Sequence, residues 1–181
     1  VTDPEVAVHL AEYDKIKSEQ QSRIQHRDSL TYTTLAAMAA TVAGTVQQHS
    51  AAVLLLLPPI AVVLGWKYLA NDEKISSAGR YLRDQLAPRL TFLSNGTGVF
   101  GWETAHRSGV YVRVRGYVQT AVDLVTFCLL PLCGLVVFWV TGPRSVPLLT
   151  ASIGEALLLG ALGWLVALAS LPALSRPKPA A

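Results

Sequence analysis

Four stretches of this chain are nearly free of charge and long enough to cross a bilayer, and no other feature limits its fold so tightly. A hydrocarbon core takes about 20 apolar residues per helix. The windows Leu30–Gln47, Ala51–Ala70, Val118–Thr141 and Pro147–Leu171 meet that requirement. Lipid offers no water to satisfy backbone amides, so such windows must be helical. Only "QQHS" separates the first two and "GPRSV" the last two, connectors short enough to make each pair antiparallel. The predicted fold is an all-α membrane protein, with four transmembrane helices as two antiparallel hairpins. Its predicted parts are an N-terminal cytoplasmic helix (1–29), a first hairpin (30–70), a cytoplasmic amphipathic segment (71–117), a second hairpin (118–171) and a cytoplasmic tail (172–181).

Composition agrees. Of 181 residues, 51% are hydrophobic and only 15% charged, against about 25% charged in ordinary soluble domains. The polar N-terminal stretch predicts no cleavable signal peptide. A formal charge of +3 is too small to argue for nucleic acid. Every Lys and Arg except Arg144 falls at the N-terminal region, the inner end of the second span, the central segment or the tail. The excess of Lys and Arg on cytoplasmic loops then places both termini and the central segment inside. On that side the triplet Asn95-Gly96-Thr97 reads as a turn rather than a glycosylation site.

The stretch before the first span reads as one long helix. Pro4 suits its first turn, and Val6, Leu10, Tyr13 and Ile16 follow a three-to-four spacing that Gln20 and Arg23 interrupt. After the second span, Leu69, Ile75, Tyr81, Leu82 and Leu86 give an apolar side opposite charged residues. That amphipathic helix lies on the inner membrane surface or packs on the N-terminal helix, and Pro88 is expected to end it. Trp102 is placed as an interfacial anchor. "VYVRVRGY" leads into the third span or forms a short strand.

Several of these stretches together carry a resemblance. "EYDKIKSEQQSRIQHRDSL" enters the first span, "PPIAVVLGWKYLANDEKISSAGRYLR" closes the second, and "GWE" precedes the second hairpin. They resemble a family of small prokaryotic four-span integral membrane proteins. The motif residues would be Glu19, Arg23, Arg27, Asn71, Asp72, Ile75, Gly79, Tyr81 and the Gly101-Trp102-Glu103 triplet. More loosely, a polar helix entering a two-span hairpin is similar to the SLATT class of bacterial conflict-system effectors. The resemblance implies a multi-pass protein of the bacterial cytoplasmic membrane and no established reaction.

Chemistry-bearing residues are sparse. Asp123 sits about two turns into the third span and Glu155 about two turns into the fourth. Charges at membrane depth are costly and face a partner or a water path; Arg27 and Lys67 are the candidate ion-pair partners for Asp123. Pro58, Pro59 and Pro131 remove helical donors and are read as kinks. Cys128 and Cys133 point in different directions on a helix, so neither a disulfide nor a metal site is expected. No nucleophile elbow, zinc motif or Walker loop is present, and no catalytic residue, metal or cofactor is expected.

Along the first span Ser29, Thr33, Thr41 and Thr45 recur at multiples of four, with Ala36, Ala40 and Gly44 beside them. The hydroxyls either return to carbonyls of their own helix, where small neighbours favour close packing, or line a water path. The functional expectation is an oligomeric integral membrane protein, an ion channel or pore. The alternatives are a non-conducting scaffold or sensor that recruits a cytoplasmic protein partner, and a small membrane enzyme acting on a lipid or isoprenoid. The expected partners are the lipid bilayer and further copies of the chain.

Overall fold

The computed structural model describes residues 4–93 and 110–174, with side chains for 4–93, 114 and 116–169. Every regular element among them is helical. Helix α1 runs unbroken over Pro4–Gln48, 45 residues. At 1.5 Å per residue it is about 68 Å long, roughly twice a bilayer core of about 30 Å. A 3₁₀ segment, Ala51–Leu56, leads into α2, Leu57–Tyr81; a π segment, Leu82–Leu86, leads into α3, Ala87–Leu93. Helix α4 is Val110–Leu124, followed by a π segment, Val125–Leu129, and by α5, Leu130–Thr141. Helix α6 is Val146–Leu174.

Three continuous helices are long and apolar enough to cross a membrane: Ala51–Leu93, Gly116–Thr141 and Val146–Ala169. The first predicted span, 30–47, is not among them. The hydroxyls that mark it, together with Gln47, dilute its hydropathy.

The prolines act differently from the expected kinks. Pro58 and Pro59 lie in the first turn of α2, where the missing amide donor has no helical partner to lose. The 3₁₀ turn ahead of them satisfies the Leu54 carbonyl, which accepts from the Leu57 amide. Pro131 and Pro88 each follow a π segment by two positions. A wider turn makes room for a ring that would otherwise crowd the carbonyl four residues back. Pro88 therefore does not end its helix: α3 carries on to Leu93. The stretch "VYVRVRGY" is helical, as the start of α4.

The chain divides into two compact units, Val1–Ser29 with Ala70–Val112, and Leu30–Leu69 with Arg113–Ala181. In the first, Leu82, Leu86 and Leu90 are buried and pack with Tyr13 and Ile16. Of the two placements open to the amphipathic helix, it takes the one against the N-terminal helix. In the second, Leu54, Leu57, Ala61, Leu135, Phe138 and Leu159 share one core cluster with Met38. Leu30, Tyr68, Phe127 and Leu162 form another. Gly65 lets these elements approach closely, since a Cβ there would lie 2.9 Å from Leu162 Cδ2 and 3.1 Å from Phe127 Cδ1.

The end of α1 is a Schellman motif. The Ser50 amide donates to Thr45 O at 3.3 Å and the His49 amide to Val46 O at 3.4 Å. This geometry puts the first residue past the helix in the left-handed region, where glycine is the usual occupant. Here it is His49, with φ 50°.

Candidate functional site

Helix α1 in the first unit turns one side inward: His9, Tyr13, Ile16, Gln20, Arg23 and Arg27 are all partly shielded, at alternating steps of four and three. That rhythm keeps a seam facing one partner helix. Leu10, expected on the apolar side, is 43% exposed instead. The polar positions that interrupt the apolar spacing are therefore part of the seam itself. They change its chemistry rather than break it.

Three side chains tie α1 to α2 along the polar stretch. Gln20 Nε2 donates to Ile75 O at 3.3 Å. Asn71 Nδ2 donates to Arg23 O at 2.8 Å. Arg27 Nη1 donates to Asp72 Oδ1 at 3.3 Å, and Arg27 Nε lies 3.7 Å from Asp28 Oδ1. From Gln20 to Arg23 and Arg27 on α1 the partners move from residue 75 back to 71 and 72 on α2, so the helices are antiparallel within this unit. Asn71 is 7% exposed, so its amide would be an unsatisfied buried group without this bond.

Nearer the start of α1, Tyr81 Oη donates to Glu12 Oε1 at 2.5 Å, while His9 Nδ1 lies 3.4 Å from Glu12 Oε2. The phenol bond, helped by His9, holds the Glu12 carboxyl below the usual carboxylate range. The same bond pushes the Tyr81 phenol up, because the carboxylate favours its protonated form. Beside the seam lies an open groove of about 340 Å³, with Glu19, Arg23, Lys74 and Tyr81 in its lining. Arg23 is already paired with Glu19, through Nε at 2.9 Å and Nη2 at 2.5 Å. Gly79 is half-buried on α2. Trp102, Glu103 and Asn95 lie outside the described residues.

The row of hydroxyls, which begins at the last residue of the first unit's α1 segment and continues in the second unit, splits. Ser29 and Thr33 are exposed, whereas Thr41 is buried and Thr45 half-buried. A step of four residues overshoots a helical turn by about 40°, so a row at that spacing rotates around the helix. The inward residues are Leu30, Thr34, Met38 and Thr41. Thr34 is fully buried and was not part of the sequence stripe. Each shielded threonine returns its hydroxyl to the carbonyl four residues back: Thr34 to Leu30 O at 2.8 Å, Thr41 to Ala37 O at 2.8 Å and Thr45 to Thr41 O at 2.9 Å. Ala36 and Ala40 are exposed, and a Cβ at Gly44 would meet Val53 Cγ1 at an ordinary 3.7 Å.

Asp123 Oδ1 accepts from Gln119 Nε2 at 3.0 Å, and the same nitrogen donates to Tyr68 Oη at 2.9 Å. Tyr68 stacks on Phe127 with centroids 5.2 Å apart. Lys67 is exposed and makes no ion pair among the described residues. Trp139 Nε1 donates to Ser152 Oγ at 2.8 Å, joining α5 to α6. Glu155 has one carboxylate oxygen sealed from solvent and without a hydrogen-bond partner. Cys128 and Cys133 are free thiols, and no group of three or more potential metal ligands occurs among the described residues.

Gln20, Thr34, Tyr68, Gln119, Trp139 and Ser152 make the buried or interhelical hydrogen bonds that sequence reading passed over. Alternating steps of four and three, carried through polar residues, would have found the first two. The others meet across helices distant in sequence and leave no local signal.

Together these features define an all-helical protein whose apolar helices are compatible with a membrane, with polar side chains such as Gln20, Asn71, Gln119 and Trp139 joining one helix to another. Compared with family models, with curated proteins and with solved structures, the chain has no match.

Proposed function

We propose that the chain is a four-span integral membrane protein, built as two antiparallel hairpins, that self-associates and serves as a non-conducting scaffold or sensor. Both termini and the 71–117 segment lie in the cytoplasm of a bacterial cell, where the α1–α2 seam presents a stiff helical pair to a protein partner. One observation carries the reading over a channel. The shielded hydroxyls of Thr34, Thr41 and Thr45 are closed on carbonyls of their own helix, which takes Thr41 and Thr45 out of the polar lining that the first span offered.

Further support comes from the shared interior of the second unit. Phe127, Leu135 and Phe138 are at most 2% exposed, which is the packing of a core rather than of a water path. The first span, the least apolar of the four, still leaves Tyr32 72% and Val46 68% exposed in the protomer. Contact with a further copy would shield this face from lipid. Lys and Arg placement supports the orientation.

The test is reconstitution in nanodiscs with the copy number read by native mass spectrometry, alongside ion flux in liposomes. Expected are an oligomer and flux equal to that of protein-free vesicles. A monomer would refute self-association. Flux that a Thr41→Leu substitution abolishes would restore the pore.

A further inference from the structure

The residue that the proposed scaffold leaves without a role is Glu155. Helix α6 packs inward along Ser152, Leu159, Leu162 and Val166, which are 0%, 3%, 3% and 4% exposed. Their steps of seven, three and four leave two half-buried positions between the first two, Glu155 and Ala156, of which Ala156 packs against the core and Glu155 brings in a carboxyl. Its carboxyl therefore enters the packed side of an apolar helix, one turn from the Trp139–Ser152 hydrogen bond. Oxygen Oε2 is sealed there and has no hydrogen-bond partner, while the residue as a whole stays partly accessible.

Such a group has two stable states. An ionised carboxylate needs a cation or several donors, and without them its desolvation is prohibitive. The neutral acid needs far less. The titratable groups with described side chains on the other elements of this unit are Tyr32 on α1 and His49 after it, Lys67 and Tyr68 on α2, Tyr117, Asp123, Cys128 and Cys133 from α4 to α5, and Arg144 in the last connection. None of them forms an ion pair or a hydrogen bond with Glu155 among the described residues. Ser152, three residues earlier on the same helix, already donates to Leu149 O at 2.8 Å and accepts from Trp139. Glu155 belongs to no group of three or more metal-ligating side chains among the described residues.

The geometry points to Glu155 as an intramembrane proton-binding site, occupied by a proton in the resting protein. Loss of that proton places a bare charge on the packed side of α6, beside Ser152 and Leu159. The helix must then shift or admit water. Glu155 thus couples proton occupancy to the packing of the second hairpin. The inference rests on the proposed membrane placement of α6.

A hydrophobic carbodiimide tests it. The carboxylic proton moves to a carbodiimide nitrogen and the carboxylate oxygen bonds the central carbon. The resulting O-acylisourea rearranges to a stable N-acylurea, with the whole reagent added and no leaving group. The full chain in nanodiscs is treated with dicyclohexylcarbodiimide, and peptides are analysed by mass spectrometry. Expected are an adduct at Glu155 that diminishes as pH rises, its loss in Glu155→Gln, and no labelling of Glu155 by a water-soluble carbodiimide.

Absence of the adduct from a chain that floats with lipid would overturn the proton site and leave the membrane reading intact. Labelling of Glu155 by the water-soluble reagent would do the same. A chain that does not float with lipid would overturn both. The wild-type labelling stands as the decisive measurement even if Glu155→Gln fails to fold, and thermal unfolding of that variant is a second one. A neutral isostere should hold stability, whereas Glu155→Lys should lose it.

Discussion

Asn71 Nδ2 donates a 2.8 Å hydrogen bond to the carbonyl of Arg23, 48 positions earlier in the chain. A side-chain amide thus reads the backbone of the partner helix at a point where the seam holds no apolar side chain. With Gln20 on Ile75 O, it fixes the register of α1 against α2 through backbone atoms that no substitution removes. The packing of the first compact unit depends on this register.

Asn71→Ala should destabilise the α1–α2 pair by about 1–2 kcal/mol, the usual cost of losing a buried hydrogen bond together with its packing. Asn71→Asp should cost more, because a carboxylate would face the Arg23 carbonyl. Thermal unfolding in detergent, with proteolysis of the 71–93 region as a local readout, measures both.

The Glu12–Tyr81 bond makes the same unit sensitive to pH. Glu12 is held low in the folded chain, so its contribution is present above its unfolded pKa and is lost as pH falls through the lower, folded one. Tyr81 is held high, so its contribution is present below its unfolded pKa and is lost as pH rises through the higher, folded one. Tyr81→Phe should flatten the profile at both ends. Melting temperature against pH for the two proteins decides it, and identical acid limbs would refute the bond.

His49 occupies the left-handed position of the α1 Schellman motif. His49→Gly should raise stability by about 0.5–1 kcal/mol, since a side chain in this region is strained and glycine is not. His49→Val should lower it by about 1 kcal/mol or more, because branching at Cβ worsens the strain. Chemical denaturation monitored by tryptophan fluorescence separates the three variants.

Thr34, Thr41 and Thr45 close their hydroxyls on their own helix, so these groups contribute little between helices. Thr41→Val, nearly equal in volume, should change stability by less than about 1 kcal/mol. Gly65→Ala should cost about 1–3 kcal/mol, since the added methyl overpacks against Leu162 and Phe127. Larger losses in the threonine variant than in the glycine variant would reverse this ranking.

Helicity was legible in the sequence, and so were three of the apolar helices, because lipid-length apolar runs are a local property that composition records. The sides of the helices were less legible. The row from Ser29 to Thr45 looked like one stripe, yet its first members are exposed and its later ones shielded. A count by four ignores the drift of the helix, and only a partner helix selects which residues stay inward. Pro88 illustrates the same division. Its chemistry predicts a break, whereas tertiary packing of Leu86 and Leu90 against Tyr13 and Ile16 makes a π turn and a continuing helix the better arrangement.

The sequence by itself determined which segments had to be helical, since an apolar run in lipid must satisfy its amides internally. It also supplied the polar residues, but not their partners. Tertiary structure alone decided that Asn71 meets Arg23, that Gln119 bridges Tyr68 and Asp123, and that Glu155 has a sealed oxygen with no donor. A hydrogen bond depends on positions a few ångströms apart in space, and residues 48 or 51 apart in the chain come that close only when helices pack.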